Sequence, residues 1–575
     1  MFDDTTSHAG KTWFDQPLAE QIWRAKYQFK SGNNVADHSV EDTWRRVAQD
    51  LAKTELPDNQ SGVARMFYNA MADFRLLPAG RILAGAGTGR NMTLSNTFVM
   101  RTIPDSVGGI MDTIKDAALT MQMGGGLGFD FSTIRPKGMT VRGLGCPAAG
   151  PLAVMDICDA VCKMLVMGMG RGAMMATMRC DHPDILDFVT VKSDRTRLRN
   201  FNLSVLVTDA FMAAVDEGTT WDLVWDGQTV RQVEARVLWD TIMRQTYEAA
   251  EPGVLFIDRI NARNPLAYRE TICATNSCAE QPLPPNGTCP LASINLARLV
   301  RDPFTTSACL PSEELEDLTA VAVRLLDNAI DVSGYAVAAQ AEMAARQRRI
   351  GVGVTGVGDA LAMLGARYGS QEAVSLVTRW MQTVQNAAYR ASALLARDRG
   401  IFPDFDLASH MANGVTETLD PGVQALIMQH GLRNATLTTI APTGTISMLA
   451  GNVSSGIEPI FSTSFQRTIT LPDGTKGIER VTDYAAFRFA EMHGRDQQLP
   501  DSFVTAADLL PEDHVRMQAA AQKWVDSAIS KTVNCPENIS FPAFKDVYRS
   551  AYLAGCKGCT TYRPNAVTGA VLEAA

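Results

Sequence analysis

Nowhere in its 575 residues does this chain run apolar for the ~18 positions a membrane-spanning helix needs, so no membrane partner is expected. A basic excess is also missing. Lys and Arg number 53 against 62 Asp and Glu, a net charge of −9, which argues against general binding to nucleic acid or to an anionic membrane surface. An anionic small ligand would need a local pocket of positive charge or backbone amides. The first ten residues are polar and acidic, unlike a signal peptide, which predicts a cytoplasmic location. Cys556-Lys557-Gly558-Cys559 has no second pair at zinc-site spacing, so no directly ligated metal is expected; a redox pair or packing thiols remain. The glycines at 124–128 do not form the G-x-G-x-x-G that opens a nucleotide-binding helix. The last residues, 567–575, contain no cysteine pair. The eleven cysteines are odd in number and scattered, which predicts free thiols in a reducing compartment.

What is present is the composition of a globular enzyme, 46% hydrophobic and 20% charged, in a chain longer than a single core usually grows. Residues 1–90 read as a small helical lobe. Leu18, Ile22, Tyr27 and Phe29 lie in one candidate helix, and Val47, Leu51, Val63, Met66, Phe67 and Met71 recur at loosely helical spacing. From 91 to 575, short apolar runs such as Phe98–Met100, Gly128–Phe131, Met174–Met178 and Leu203–Val207 alternate with helical patterns near 234–249, 313–330 and 371–398. That alternation predicts an α/β domain with mainly parallel strands, without saying whether the sheet is open or closed. A polar surface excursion is expected near 471–480, and there is no internal repeat.

The densest chemistry lies in Asn276-Ser277-Cys278-Ala279-Glu280, with a second thiol at Cys289. In an extended or looping stretch, alternate side chains share a face, so an amide, a thiol and a base would meet one small substrate. The following Gln281-Pro282-Leu283-Pro284-Pro285-Asn286-Gly287 is too rich in turn formers for a helix and predicts that Cys278 sits on a rigid loop. A buried cysteine beside a structural glutamate fits the same letters. Pro442-Thr443-Gly444-Thr445-Ile446-Ser447 offers closely spaced amides and hydroxyls. It would favour phosphate if a helix begins near Ser447, and otherwise reads as a capped turn.

Asn-x-Cys-x-Glu with a cysteine eleven residues after the first resembles the active-site loop of ribonucleotide reductases. Further segments resemble that family in order: Gly124–Phe131, Arg171–Met175, Asp181–Ile185, Phe201–Val205, Arg349–Gly353, Ala441–Ser447 and Ser454–Pro459. Together, from about residue 75 onward, they resemble the adenosylcobalamin-dependent class II enzymes. The resemblance implies a ten-stranded α/β barrel of two five-stranded parallel halves with the Cys278 loop through its centre, and adenosylcobalamin as cofactor. It implies a ribonucleotide substrate, read as the ribonucleoside diphosphate, deoxynucleotide effectors, an external thiol or thioredoxin-like reductant, and a homodimer.

By the same resemblance, Cys278 is the thiyl radical, Glu280 the general base, Asn276 an orienting group and Cys289 a reducing thiol. Asn96, Thr97, Ala149 and the six residues Pro442, Thr443, Gly444, Thr445, Ile446 and Ser447 would face the substrate. Gly124, Gly125 and Gly126 would lie near the cofactor. Asp194, Arg195, Arg197 and Arg199 would belong to a loop linking an effector site to the substrate base. Two positions depart from the family pattern: Ala149 stands where a serine is expected, and Thr97 where the second reducing cysteine is expected. Either Cys146, Cys180 or Cys273 reaches Cys289, or an external reductant serves, or the chain is a paralogue with altered activity. A class I-like catalytic subunit, fed by a radical-generating partner, would require stacked tyrosines near the last strand. Cys559-Thr560-Thr561-Tyr562 offers one.

Overall fold

The computed structural model describes residues 13–565 except 33, 142, 170–172, 413 and 471–475. The N-terminal helices are Pro17–Lys26, Val40–Ala52 and Pro57–Met71. Two start with Pro in the first turn, where its missing N–H is not needed, and the middle one with a capping box between Ser39 and Asp42. Trp23, Trp44, Val47, Leu51 and Phe67 point inward and join the larger hydrophobic core. The first helix is shorter than its apolar letters predict. It ends at Lys26, Tyr27 is the cap residue, and Phe29 lies beyond it.

The remainder is mixed α/β. In the largest sheet, Thr97–Val99, Gly126–Asp130, Met174–Arg179, Phe201–Val207 and Gly253–Phe256 pair in that order, all parallel. Gly558–Tyr562 adds antiparallel beyond Gly253–Phe256, and Thr288–Cys289 antiparallel beside Thr97–Val99. The central strands are buried on both faces, as expected of near-continuous apolar runs in a parallel sheet. A second sheet sets Leu291–Asn295 parallel to Gly351–Thr355 and antiparallel to Leu76–Pro78. Isolated parallel bridges extend it through Val352 to Thr438 and through Ile440 to Ile529. Each sheet has its own large core, and a small cluster including Ala79, Val99, Cys289 and Leu291 lies where they meet. The helices read from sequence are present as Ala235–Ala249, Ser312–Val332 and Gln371–Arg399. Of the polar excursion at 471–480, residues 476–480 belong to the strand Lys476–Thr482, which pairs antiparallel with Ser464–Thr470. Residues 471–475, the Arg171-Gly172 pair, the first ten residues and the tail at 567–575 fall outside the described residues. Among the described residues, no helix is long and apolar enough to cross a membrane.

Candidate active site

The Asn276–Glu280 segment runs between the two sheets and is tied to both. From the first sheet, the Asn202 amide donates to Ser277 O at 2.8 Å and Thr177 Oγ1 to Cys273 O at 2.9 Å. From the second, Thr439 Oγ1 and the Ala528 N–H donate to Glu280 O at 2.9 and 3.0 Å. The approach is so close that glycine is required beneath it: a Cβ on Gly128 would lie 1.7 Å from Thr275 O.

The segment is a turn, in keeping with the rigid loop expected at Cys278 and not with the extended alternative. Ala279 N–H donates to Asn276 O at 3.1 Å, and Ala279 takes a left-handed φ of 66°. Reversal of the chain, not a period of two, brings Asn276, Cys278 and Glu280 to one cavity of about 320 Å³. Its opposite wall is Pro442–Ile446, and Asn96, Thr97 and Gly124–Gly126 close its side. The helix after the Pro442 loop begins at Gly444, three residues before Ser447, because Thr443 breaks the backbone with φ 51°. Ser447 turns away: its hydroxyl contacts Gly444 O at 3.2 Å and Ser455 Oγ at 3.0 Å, and it lines a neighbouring cavity.

Cys278 is open to the cavity although it lies far beneath the outer surface. Burial, reinforced by the neighbouring Glu280 charge, pushes its thiol up to about 12, so it stays protonated at neutral pH. Burial also raises the Glu280 carboxyl from 4.5 to about 7, against a smaller opposing hydrogen bond from the Asn276 side chain. Glu280 Oε2 has no hydrogen-bond partner among the described residues. Asn276 is fixed by the Gln281 N–H, which donates to its Oδ1 at 3.0 Å. Asn96 likewise leaves a buried Oδ1 unpartnered. Polar atoms so placed await a ligand.

Cys289 is fully buried, and burial holds its thiol well above the usual range. Its direct cross-strand neighbour is Thr97, whose hydroxyl donates to Cys289 O at 2.7 Å. The three cysteines considered as its partner are engaged elsewhere. Cys273 bonds Asp130, Cys180 bonds Thr208, and Cys146 is exposed. Cys180 follows the Met174–Arg179 strand, two strands from Thr97 and three from Cys289, so at ~4.8 Å per strand it is far beyond disulfide reach. All eleven cysteines are unpaired.

Other expected residues do not meet at this cavity. Ala149 is exposed on the loop before the 151–169 helix. Asp194, Arg195 and Arg199 are exposed, and Arg197 is paired with Asp156 through hydrogen bonds of 2.9 and 2.6 Å. Among the described residues, no group of three or more His, Cys, Asp or Glu side chains is placed to hold a metal ion. Several residues lining the cavity lie outside the expected set, and two of them carry a polar side chain from the N-terminal part of the chain, Tyr27 and Arg81. The available signal was a lone cation in the apolar stretch Leu76–Gly85.

A second cavity of about 270 Å³ shares Ser277, Cys278 and Pro442 with the first. It is lined by polar groups on or beside strands of the first sheet, including Asn202, Ser204, Glu251, Lys531 and Thr560. It adjoins a larger cavity of about 640 Å³, with which it shares Ala250, Glu251, Thr532 and Thr560. Cys278 therefore stands in the wall between two chambers.

A thiol, a buried carboxyl and an amide converge on a loop between two sheets, and the chain belongs to the ribonucleotide reductase family. The family's barrel-domain model matches residues 95–562 and its all-alpha-domain model residues 14–91. Among curated relatives, the chain is 37% identical to the vitamin B12-dependent ribonucleoside-diphosphate reductase of Mycobacterium tuberculosis, over 97% of this chain and 80% of that protein. It is 33% identical to the protein of the same name from Thermoplasma acidophilum, over 97% and 72%. It is 27% identical to the ribonucleoside-diphosphate reductase subunit alpha of Chlamydia muridarum, over 90% and 56%.

Proposed function

We propose that this chain reduces ribonucleoside diphosphates to 2′-deoxyribonucleotides by a radical route that depends on adenosylcobalamin. The observation that carries the reading is the convergence of Cys278, Glu280 and Asn276 on one cavity, with a second chamber on the far side of the same thiol. The names of the Mycobacterium and Thermoplasma relatives support the cofactor and the diphosphate.

The second chamber fits a nucleoside-sized arm. Glu251, Asn202, Ser204 and Thr560 offer acceptors and donors, Lys531 a buried cation, and the larger cavity beyond gives room for a macrocycle. These residues would hold adenosylcobalamin, which supplies the radical that oxidises Cys278. Gly124–Gly126 lie on the substrate side instead and suit close approach of the nucleotide.

From there the chain's own groups act. The Cys278 thiyl takes the hydrogen atom from ribose C3′, and Glu280 accepts the 3′-hydroxyl proton. Asn276 orients that hydroxyl, and the 2′-hydroxyl leaves as water. The dehydrated intermediate takes two electrons and two protons from Cys289 and an external thiol, which are left joined as a disulfide, and Cys278 finally returns the hydrogen atom to C3′. Asn96, Thr97 and the Pro442–Ile446 loop enclose the remainder of the nucleotide, its diphosphate against the Thr443–Thr445 amides and hydroxyls.

The ten-stranded barrel is the closed form of the two parallel groups, with the helical lobe ending near residue 90. The bridges from Val352 to Thr438 and from Ile440 to Ile529 extend the second group and so support its reading as the other half. The exposed loop at 194–199 would read a deoxynucleotide effector at a homodimer interface. Unpaired cysteines suit a reducing cytoplasm and a thiol or thioredoxin-like reductant.

The deciding experiment is an anaerobic assay with adenosylcobalamin, one ribonucleoside diphosphate and a dithiol. Nucleotide-dependent cofactor homolysis and deoxynucleotide are the expected results. Activity only with an added iron- or manganese-containing protein would instead establish the partner-dependent reading.

Glu280 gives a second test. As a base it must be ionised, so turnover should rise with pH through about 7. Glu280→Gln should bind substrate normally and slow the chemical step by ~10²-fold or more. Stability should move the other way. The folded state holds this proton more tightly than the unfolded chain, so Glu280's contribution declines as pH rises from 4.5 to about 7 and stays lost above. At about 1.4 kcal/mol per pH unit, ionisation costs the fold up to ~3 kcal/mol. Glu280→Gln should therefore melt higher than wild type at pH 8 and similarly near pH 4.5. Equal activity of the two proteins would remove Glu280 from the mechanism.

A further inference from the structure

One cation on the substrate cavity has no counter-ion. Arg81, half-buried at the start of the Gly80–Gly85 helix, lines the cavity together with the catalytic loop and Thr443–Ile446. Among the described residues no carboxylate pairs with it. The titratable group that acts on it is the phenol of Tyr27, and burial lowers its basicity. Tyr27, brought in from the helical lobe, is itself only 5% exposed and lines the same cavity, and its hydroxyl packs against Gly80. The structure thus places a guanidinium and a phenol, both hydrogen-bond donors, at one corner of the cavity with no acceptor among the described residues.

The guanidinium is also held in place. Gly124 has φ +98°, and a Cβ there would come within 2.8 Å of the Arg81 guanidinium carbon. Arg81 therefore lies against bare backbone, and a side chain at 124 would push it away. Desolvating a cation without an anion costs free energy that a neutral ribose or base would not return, whereas a phosphate would. An unpaired guanidinium in the free protein is therefore a site whose partner arrives with the ligand.

We propose that Arg81, assisted by the Tyr27 hydroxyl, binds the diphosphate of the substrate and fixes how the nucleotide enters the cavity. The Thr443–Thr445 amides would approach the phosphates from one side and the guanidinium from another, leaving the ribose against Cys278 and Glu280. A planar fork can bridge two phosphate oxygens, which a lysine cannot reproduce. Arg81 is thereby a substrate-positioning residue and not part of the radical chemistry. This assignment rests on the reductase reading and deepens it.

The test uses the full chain and measures equilibrium binding of a ribonucleoside diphosphate and of the same ribonucleoside without phosphates. Arg81→Ala should weaken diphosphate binding by about tenfold or more, as loss of a charge-assisted hydrogen bond does, and leave the nucleoside unaffected. Arg81→Lys should recover part of the loss, and Tyr27→Phe should show a smaller one. Gly124→Ala should reproduce the Arg81→Ala pattern, and a wild-type thermal melt in Arg81→Lys excludes a folding defect. Equal loss for nucleoside and diphosphate, or no loss for either, overturns the assignment while the reductase reading stands. A wild-type protein that binds no ribonucleoside diphosphate overturns both.

Discussion

Replacing Cys278 with serine is expected to abolish turnover while leaving nucleotide affinity unchanged. An alcohol O–H bond is much stronger than a thiol S–H bond, so the oxygen radical could not be formed reversibly, and the hydrogen atom could not be returned to C3′. The substitution is nearly isosteric and lies in the wall between two chambers, so little packing changes. The high affinity of the native thiol for its proton favours the same chemistry. A group held near 12 is neutral at physiological pH and is oxidised by losing a hydrogen atom rather than by acting as a thiolate. Product formation and tritium exchange between substrate and solvent should both vanish. Measurable turnover by Cys278→Ser would move the radical to another residue.

The second large effect is expected at Thr97. Converting a ribonucleotide to a deoxyribonucleotide and water consumes two electrons and two protons. One internal thiol supplies half of that, and Cys289 faces a threonine. Wild-type turnover should therefore depend strongly on an added thiol, which completes the balance by forming a mixed disulfide with Cys289. Thr97→Cys should change this qualitatively. Directly opposed antiparallel residues lie about 4.5–5.5 Å apart at Cα, inside the range that a disulfide accepts. Prereduced, desalted Thr97→Cys should make roughly one product per active site without added reductant and lose two thiols in doing so. The hydroxyl bond to Cys289 O would be lost, at a cost of about 1 kcal/mol. If unaltered protein already yields one product per site and loses two thiols, an internal partner exists and Thr97 is not a missing reductant.

Much of the site was legible because its chemistry is local. Asn276, Cys278 and Glu280 lie within five residues, and Pro442–Ile446 is likewise one continuous segment, so ordered text was enough to associate them. Their geometry was not legible. A period of two assumes extended backbone, and the left-handed turn at Ala279 replaces it. The helix at Gly444 begins early for a similar reason, since Thr443 carries the break that letter patterns do not reveal. Tyr27 and Arg81 escaped because they come from the helical lobe and the segment joining it to the sheets. Only tertiary packing brings them to the Cys278 loop. The parallel strands were visible as apolar runs, but which sheet each joined depends on pairings hundreds of residues apart.

The glycine under the Cys278 loop has a consequence for how the protein folds. A Cβ on Gly128 would meet Thr275 O at 1.7 Å. The loop has no seat until the strand beneath it is in place, and its Glu280 O is held by Thr439 and Ala528 of the second sheet, so docking of the Cys278 loop waits for both sheets. Contacts between residues so distant in sequence form slowly. The active centre should then be the last element to order on refolding and the first to loosen under mild denaturant. Amide exchange would be fast at 274–280 while the strands at 174–179 and 201–207 stay protected.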